Sequence, residues 1–212
     1  MSSKNYPFYR QAVATDLACI AHIHLEAFTN YFLSELGYKF LCVMYKAFIQ
    51  NPAGVFVVCE SKEGQVTGFA VGALSSGKKD RWIALRYLPE FLVAALPAIR
   101  RKPNLIVRRL VARFFETDAS YVLPRDVAVL RSIGVLTSER GGGAASALLD
   151  AFEKLALQHG ANQVYLTTDQ QNNERAQNFY KRHGYQVAEC FQQNGRRPMW
   201  LMSKLLRPVV HE

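Results

Sequence analysis

The feature that most restricts the fold of this 212-residue chain is a strand, a glycine-rich turn and a helix between Val127 and Gly160. The apolar run VAVLRSIGVL is followed by TSERGGG and then by AASALLDAFEKLALQHG. Three consecutive glycines at 141–143 would weaken a helix start unless a ligand has to approach the backbone there. Unpaired N–H groups, the positive end of the helix dipole and Arg140 together suit a phosphate or pyrophosphate. A flexible glycine-rich turn without a ligand is the alternative interpretation of the same residues.

Length and composition predict a globular protein with a proper core. Half of the residues are hydrophobic, and we expect one domain spanning residues 1–212 with a basic helical insertion at about 76–125. No apolar run is long enough to span a bilayer, and the N-terminal residues lack the apolar segment of a secretory signal, which favours a cytoplasmic location. The cysteines have no CxxC spacing, so we predict mostly buried thiols, with no metal site and no disulfide framework. They are Cys19, Cys42, Cys59 and Cys190.

Hydrophobic periodicity predicts the order β-α-α-β-β-(insertion)-β-α-β-α-β-β, an α/β domain with a mixed sheet. Strands are predicted at 8–13, 55–59, 66–74, 127–136, 163–169, 185–192 and 198–206, the last two joined by a turn at Asn194 and Gly195. Helices are predicted from Thr15 or Asp16, over 33–50, in two pieces within 80–116 broken near Pro97 and Pro103, over 144–160 and over 172–184.

The positive charge of the chain is concentrated in one stretch. The net charge is +9, and residues 77–113 hold ten basic side chains against two acidic ones. The basic residues are Lys78, Lys79, Arg81, Arg86, Arg100, Arg101, Lys102, Arg108, Arg109 and Arg113. Nucleic acid, an anionic membrane surface, an anionic substrate and a solvated face are all compatible with this pattern.

Two segments of the chain resemble the GCN5-related N-acetyltransferase (GNAT) family. Residues 140–145 (RGGGAA) fit the Q/R-x-x-G-x-G/A loop of that family, and residues 133–139 (IGVLTSE) resemble its fourth strand and lead-in. About thirty residues further on, residues 173–185 (NERAQNFYKRHGY) resemble its N-x-x-A-x-x-F/L-Y-x-x-x-G-F/Y segment. Arg10 and the helix start at Asp16 are similar to its first strand and helix. The resemblance leaves out about 76–125 and implies a mixed, mostly antiparallel sheet flanked by helices, with a helical insertion between the third and fourth strands.

What the resemblance implies is binding of acetyl-CoA as co-substrate and direct transfer of its acetyl group to an amine. The N–H groups of the glycine turn and Arg140 would hold the pyrophosphate, the end of the fourth strand would pair with the pantetheine arm, and Tyr180 would protonate the departing thiolate. The implied cofactor-binding residues are Ile133, Val135, Arg140, Gly141, Gly142, Gly143, Ala144, Ala145, Ser146, Asn173 and Tyr180. The alternatives are a solvated arginine at 140, a helix N-cap at Asn173 and a core tyrosine at 180.

The sequence does not identify the base that deprotonates the amine. Val129 and Thr168 stand where some relatives place a glutamate. His24, Glu26, Asp126 and Asp169 are candidates, since their side chains can accept a proton. A water chain is an equal alternative.

The insertion leaves the acceptor and the partners open. Its charge favours a small anionic amine, such as an amino sugar or its nucleotide conjugate, although the same charge suits the phosphates of CoA. Its apolar residues fit packing over the sheet edge, a peripheral membrane contact or a homodimer contact; they are Trp82, Ile83, Leu85, Tyr87, Leu88, Phe91, Leu92, Val93 and Leu96. No helix-turn-helix or RNP motif accompanies them, which disfavours nucleic acid.

Two other functions compete with an N-acetyltransferase. The spacing Gly141-x-Gly143-x-x-Ser146 nearly matches the dinucleotide fingerprint, but the third glycine is missing. A non-catalytic acyl-CoA-binding or sensing protein is the second alternative.

Overall fold

The computed structural model describes residues 8–29, 31–75, 85–101, 103–104, 106, 123–193 and 197–206. The strands are β1 (Phe8–Gln11), β2 (Gly54–Glu60), β3 (Val66–Leu74), β4 (Val127–Val135), β5 (Gln163–Asp169), β6 (Gln186–Gln193) and β7 (Arg197–Leu205). The helices are α1 (Leu17–Ala27), α2 (Phe32–Leu36), α3 (Tyr38–Ile49), α4 (Leu88–Arg101), α5 (Ala144–Gln158) and α6 (Glu174–Arg182). Short 3₁₀ turns precede α1 and follow β4.

The seven strands form one sheet in the order β1-β2-β3-β4-β5-β7-β6. Neighbouring strands are antiparallel except for β4 and β5, which run parallel. Helix α5 packs on one face of β2–β4, and α1 and α3 pack on the other face. Because both faces are covered, β2 and β3 are apolar along most of their length. The predicted mixed, mostly antiparallel sheet flanked by helices is confirmed.

The strands β4 and β5 separate at a point where β4 has one extra residue relative to β3. Gly72 of β3 lies opposite Leu130, and Val71 lies opposite Ser132, so Arg131 is a β-bulge. The parallel pairing of β4 with β5 ends at the same place, at Leu130 and Leu166. Beyond it, β4 runs on to Val135 and β5 to Asp169 without pairing with each other.

Gly72 lets β3 lie close against β4 beside this bulge. A Cβ at Gly72 would lie 2.0 Å from the carbonyl oxygen of Val129 and 2.8 Å from the ring of Phe152. Both distances are shorter than any real carbon contact, so a side chain at this position would push the two strands apart.

The helix predicted over 33–50 is interrupted at Gly37. The chain there has φ of +89°, a conformation that favours glycine, and the residue ends α2 and begins α3. The hydrophobic spacing continues through the interruption, which is why periodicity alone joined the two helices.

The break predicted near Pro97 was wrong, because α4 continues through that residue to Arg101. A proline at this position removes the hydrogen bond to the carbonyl of Val93. Val93 is 68% exposed, so water can satisfy the freed carbonyl. The remaining expectations for residues 76–84, 102, 105 and 107–122, and the turn at Asn194 and Gly195, lie outside the described residues.

Helix α4 does not pack over the sheet edge, which corrects the expectation for this part of the insertion. Its buried face, with Phe91, Ala95 and Ala98, packs against α2 and α3, and Glu90 forms an ion pair of 3.1 Å with Lys46. Four large apolar side chains of this region stay exposed: Leu85, Leu92, Val93 and Leu96.

The expectation of mostly buried thiols was also wrong. Cys59 is buried and Cys42 half-buried, whereas Cys19 and Cys190 are exposed. In the described part of the chain, no helix combines the length and apolar character that crossing a bilayer requires.

Candidate active site

The parting of β4 and β5 opens a cleft of about 1040 Å³. One wall is the end of β4, which leads into the glycine turn and α5, and the opposite wall is the end of β5 with α6. The segment from α1 to α2, with Phe28, Tyr31 and Phe32, closes a third side, and Phe191, Arg197 and Met199 of β6 and β7 complete the lining.

The glycine turn presents free backbone N–H groups to the cleft. Gly141 and Gly143 have φ of +82° and +89°, and an added Cβ at either position would meet nothing within 4 Å. The turn is therefore shaped by backbone conformation and leaves its ligand side open. Among the described residues, the N–H groups at 141 and 143–146 have no backbone acceptor, while that of Ala147 donates to Gly143. This arrangement at a helix N-terminus binds anions.

Gly142 is the one predicted turn residue that the structure does not bring to the cleft lining. Its N–H donates to the carbonyl of Glu139 at 3.3 Å. Arg140, Gly141, Gly143, Ala144, Ala145 and Ser146 all line the cleft.

The end of β4 offers an open backbone edge to the cleft. The side chains of Ile133 and Val135 pack against the core beneath α5, and both residues line the cleft. β3 pairs with one edge of this segment, while the edge toward β5 is unpaired. An extended, amide-containing ligand can add to such an edge as a further strand does.

Asn173 stands at the N-terminus of α6, but its side chain makes no capping hydrogen bond. Its Nδ2 donates instead to Oγ1 of Thr168 at 2.9 Å, and both residues line the cleft. The simple N-cap interpretation is therefore wrong for the side chain. The contact fixes the start of α6 to the end of β5.

Tyr180 lies on the inner face of α6 and lines the cleft. Its ring contacts Phe179 and Tyr185 edge to face, with centroids 5.2 and 5.7 Å away. Burial of its hydroxyl, and then the nearby Tyr31, raise the pKa of Tyr180 above its ordinary value. The phenol is therefore neutral and keeps a proton to donate.

Three of the four candidate bases are poorly placed to take a proton. The carboxylate of Glu26 accepts the N–H of Thr137 at 2.6 Å, and contacts to Thr137, backed by Arg140, lower its pKa. Asp126 stands at the far end of β4 and does not line the cleft. Asp169 lines the cleft but forms an ion pair with Arg197.

His24, the fourth candidate, is buried between α1 and the sheet and lines the cleft. Its Nδ1 lies 2.5 Å from the hydroxyl of Tyr45, and its ring contacts that of Phe28. Burial lowers the pKa of His24 to about 4, so the imidazole is neutral at physiological pH.

The cleft is rich in arginine. Its lining includes five arginines against two carboxylates, Glu139 and Asp169; the arginines are Arg131, Arg140, Arg175, Arg182 and Arg197. The sequence pattern identified Arg140 alone, because the others come from a bulge, a helix and a strand that only the fold brings together. Tyr31 was missed for the same reason, since it lies in a short linker without a motif.

The family model described as the acetyltransferase (GNAT) family matches residues 18–185. This range contains the glycine turn, β4, β5 and α6. No curated protein matches the chain.

Solved structures of acetyltransferases share the fold. The histone acetyltransferase HPA2 and related acetyltransferase from Corynebacterium glutamicum has 21% identity and a TM-score of 0.61, over 97% of this chain and 99% of that one. The ribosomal-protein-S18-alanine N-acetyltransferase from Escherichia coli has 15% identity and a TM-score of 0.58, over 95% of each chain. Chaetomium thermophilum Naa20, in complex with a bisubstrate analogue, has 20% identity and a TM-score of 0.58, over 94% of this chain and 86% of that one.

The lowered pKa of His24 predicts that the free energy of unfolding depends on pH. Because it falls from the ordinary 6.5 to about 4 on folding, the unfolded chain binds a proton between these pH values and the folded chain does not. We expect His24 to remove about 3 kcal/mol of unfolding free energy as the pH falls from 6.5 to 4, with no effect above 6.5. Urea unfolding measured across this pH range should show that His24→Phe loses less unfolding free energy than the wild type does.

The matched control is an exposed histidine, His159. The variant His159→Gln keeps the buried His24, so over this pH range it should still lose more unfolding free energy than His24→Phe does. If the free energy of unfolding fell equally with pH in the wild type and in His24→Phe, the burial of His24 would not disfavour its protonation.

Proposed function

The chain belongs to the acetyltransferase (GNAT) family, and on that premise we propose that the cleft between β4 and β5 passes an acetyl group directly to the amine of a small anionic molecule. As a member of this family it is an acyl-CoA-dependent N-acetyltransferase with acetyl-CoA as co-substrate. The observation that carries the site proposal is that one cleft contains a helix N-terminus with unpaired N–H groups, an unpaired strand edge and a neutral tyrosine.

In our proposal the cofactor lies along the β4 side of the cleft. The free N–H groups at 141 and 143–146, with Arg140, hold the pyrophosphate, because backbone donors at a helix N-terminus suit its charge and shape. The pantetheine arm pairs with the open edge at Ile133 and Val135, and Asn173 contacts it from α6. Gly142 shapes the turn without touching the ligand.

The acetyl group then transfers without an acyl-enzyme. The neutral amine attacks the thioester carbonyl, the C–N bond forms and the C–S bond breaks, and Tyr180 gives its proton to the departing sulfur. The nitrogen loses one proton as the amide forms, and a proton returned through water restores the phenol of Tyr180. Much of the rate comes from holding the amine and the thioester together, since such positioning replaces a bimolecular encounter. Tyr180 is the catalytic residue that we assign here.

The charge of the cleft supports an anionic acceptor. Arg140 faces the proposed pyrophosphate site, whereas Arg131 lies on the bulge where the sheet opens. An amine that carries a phosphate or carboxylate, such as an amino sugar phosphate or its nucleotide conjugate, would place that group near a guanidinium.

We also propose that the whole chain works as one domain in which α4 shapes the acceptor wall. Phe32 and Leu33 of α2 line the cleft, and they pack against the cluster that contains Phe91 and Ala95 of α4. The insertion therefore supports the wall from behind.

An acceptor screen tests the substrate class. Amino sugars, their phosphates and nucleotide conjugates, polyamines, amino acids and alanine-initiated peptides are offered with acetyl-CoA, and released CoA is measured. We expect turnover with the anionic amino sugars and much less with their uncharged parents. Turnover with peptides alone would replace the acceptor class and leave the transferase unchanged.

Alanine substitutions at the two ends of α5 test whether the glycine turn binds CoA. Gly143 and Gly160 lie at opposite ends of α5, both have φ of +89°, and neither has a neighbour within 4 Å of an added Cβ. Alanine at either position should cost about 1 kcal/mol of unfolding free energy. Only Gly143→Ala should also weaken CoA binding, by about tenfold in calorimetric Kd, because its Cβ faces the phosphate. Equal CoA affinity in the two variants would remove the turn from the binding site.

Removal of the Tyr180 hydroxyl tests its proposed role as proton donor. With the acceptor found in the screen, Tyr180→Phe should lower kcat by about 10²-fold or more while the Kd of acetyl-CoA changes little. Tyr185→Phe is the control, since that hydroxyl donates to Glu153 at 3.0 Å and lies outside the proposed machinery. It should cost about 2 kcal/mol of unfolding free energy and leave kcat intact. A Tyr180→Phe enzyme with full turnover would contradict the assigned proton donor.

A further inference from the structure

His24 holds a buried hydrogen-bonding atom that the proposed chemistry has not used. In the described part of the chain, its Nε2 is the one fully buried side-chain nitrogen or oxygen that has no hydrogen-bond partner. The residue is 2% exposed and lines the cleft. A buried polar atom without a partner destabilises the empty protein, so this arrangement points to a ligand that supplies the partner.

The neighbours of His24 determine which ring nitrogen carries the proton. The Ser132 side chain contacts the hydroxyl of Tyr45, and this contact lowers the pKa of Tyr45 against the effect of burial. Nδ1 of His24 lies 2.5 Å from the hydroxyl of Tyr45, and donation to Nδ1 gives the single proton of this buried hydroxyl an acceptor, so we assign the proton to this contact. A neutral imidazole that accepts at Nδ1 carries its proton on Nε2, so the unpartnered atom is a donor.

The imidazole lies near the part of β4 that faces the cleft, and the two share neighbouring side chains. Its ring centroid is 4.7 Å from that of Phe28 and 6.4 Å from that of Phe69. A Cβ on Gly134 would lie 3.2 Å from both of these rings, and Ser132 contacts Tyr45. His24 therefore shares its neighbours with the segment 132–134. The proposed function places the pantetheine arm along this edge, at Ile133 and Val135, and the thioester is at the end of that arm.

We propose that Nε2–H of His24 donates a hydrogen bond to the carbonyl oxygen of the acetyl group of bound acetyl-CoA. This inference rests on the proposed function, because it requires acetyl-CoA in the cleft. When the amine adds to the carbonyl carbon, negative charge develops on that oxygen, and the hydrogen bond stabilises it before the C–S bond breaks. His24 neither gains nor loses a proton, so it is a fixed donor and not the base.

Infrared difference spectroscopy with acetyl-CoA labelled with ¹³C at the carbonyl tests the contact directly. A hydrogen bond lowers the carbonyl stretching frequency, so we expect a lower frequency in the wild type than in His24→Phe, which keeps a ring but has no donor. His24→Gln carries an amide N–H at about the reach of Nε2 and should keep most of the shift. His24→Asn carries its amide nearer Tyr45 and should behave like His24→Phe.

Binding of two probes gives a second readout. CoA has no acetyl carbonyl, so its Kd should be the same in the wild type and His24→Phe, while acetyl-CoA should bind the variant about three- to tenfold more weakly. In turnover with the acceptor from the screen, kcat should fall by about 10²-fold in His24→Phe and by much less in His24→Gln. A purely structural role would affect both probes alike and would not favour glutamine over asparagine.

The wild-type protein provides a measurement that needs no variant. With ¹⁵N-labelled histidine, the Nε2 resonance of His24 should shift on addition of acetyl-CoA and stay in place with CoA. Binding of acetyl-CoA with no difference from CoA in this resonance, and with the same carbonyl frequency in the wild type and His24→Phe, overturns the inference and leaves the proposed function standing. If neither CoA nor acetyl-CoA binds the wild type, the proposed cofactor site itself is wrong.

Discussion

The site depends on one constraint, which is that β4 cannot continue its pairing with β5 beyond the bulge at Arg131. The extra residue turns the strand, and β3 follows it on the other edge because Gly72 brings no side chain into the contact. Backbone groups in the interior of a sheet are normally paired. At residues 131–135 they are left open toward the cleft, and the glycine turn adds further open N–H groups. The fold thus contains, at one place, a row of backbone donors and acceptors that have no protein partner in the described part of the chain and are available to a ligand.

Helix α1 holds this open edge in shape. Glu26 accepts the N–H of Thr137 at 2.6 Å and so fastens the turn that leads to the glycines. Two residues later, Phe28 packs under Gly134, where an added Cβ would lie 3.2 Å from its ring. Glu26, one of the four candidate bases, is therefore engaged in a contact that positions the glycine turn. On the opposite wall, the bond from Asn173 to Thr168 fixes α6 to β5 in the same way.

The sequence predicted the parts of this structure that depend on local residues. Consecutive glycines before an amphipathic helix, and the spacing from Asn173 to Tyr180, are local patterns, and they identified the turn, α6 and the order of strands. Other features depend on contacts between distant elements. The bulge at Arg131 is visible only in the register with β3, and the continuation of α4 through Pro97 depends on an exposed carbonyl. The orphaned Nε2 of His24 follows from the aromatic side chains of α1, α3 and β3, which no spacing rule brings together.

The electrostatics of the cleft bear on how the amine loses its proton. Burial keeps Tyr180 protonated and His24 neutral. Contacts to Thr137 keep Glu26 a weak base, and Asp169 forms an ion pair with Arg197. A side chain with a pKa near 4 is a poor match for an alkylammonium ion, whose pKa is about 10. In the function that we propose, the described part of the lining therefore donates hydrogen bonds to the thioester and to the departing sulfur. On that proposal, the amine reaches the thioester already neutral, having lost its proton to water. The arginines around the cleft favour the deprotonated amine, because they repel its cationic form.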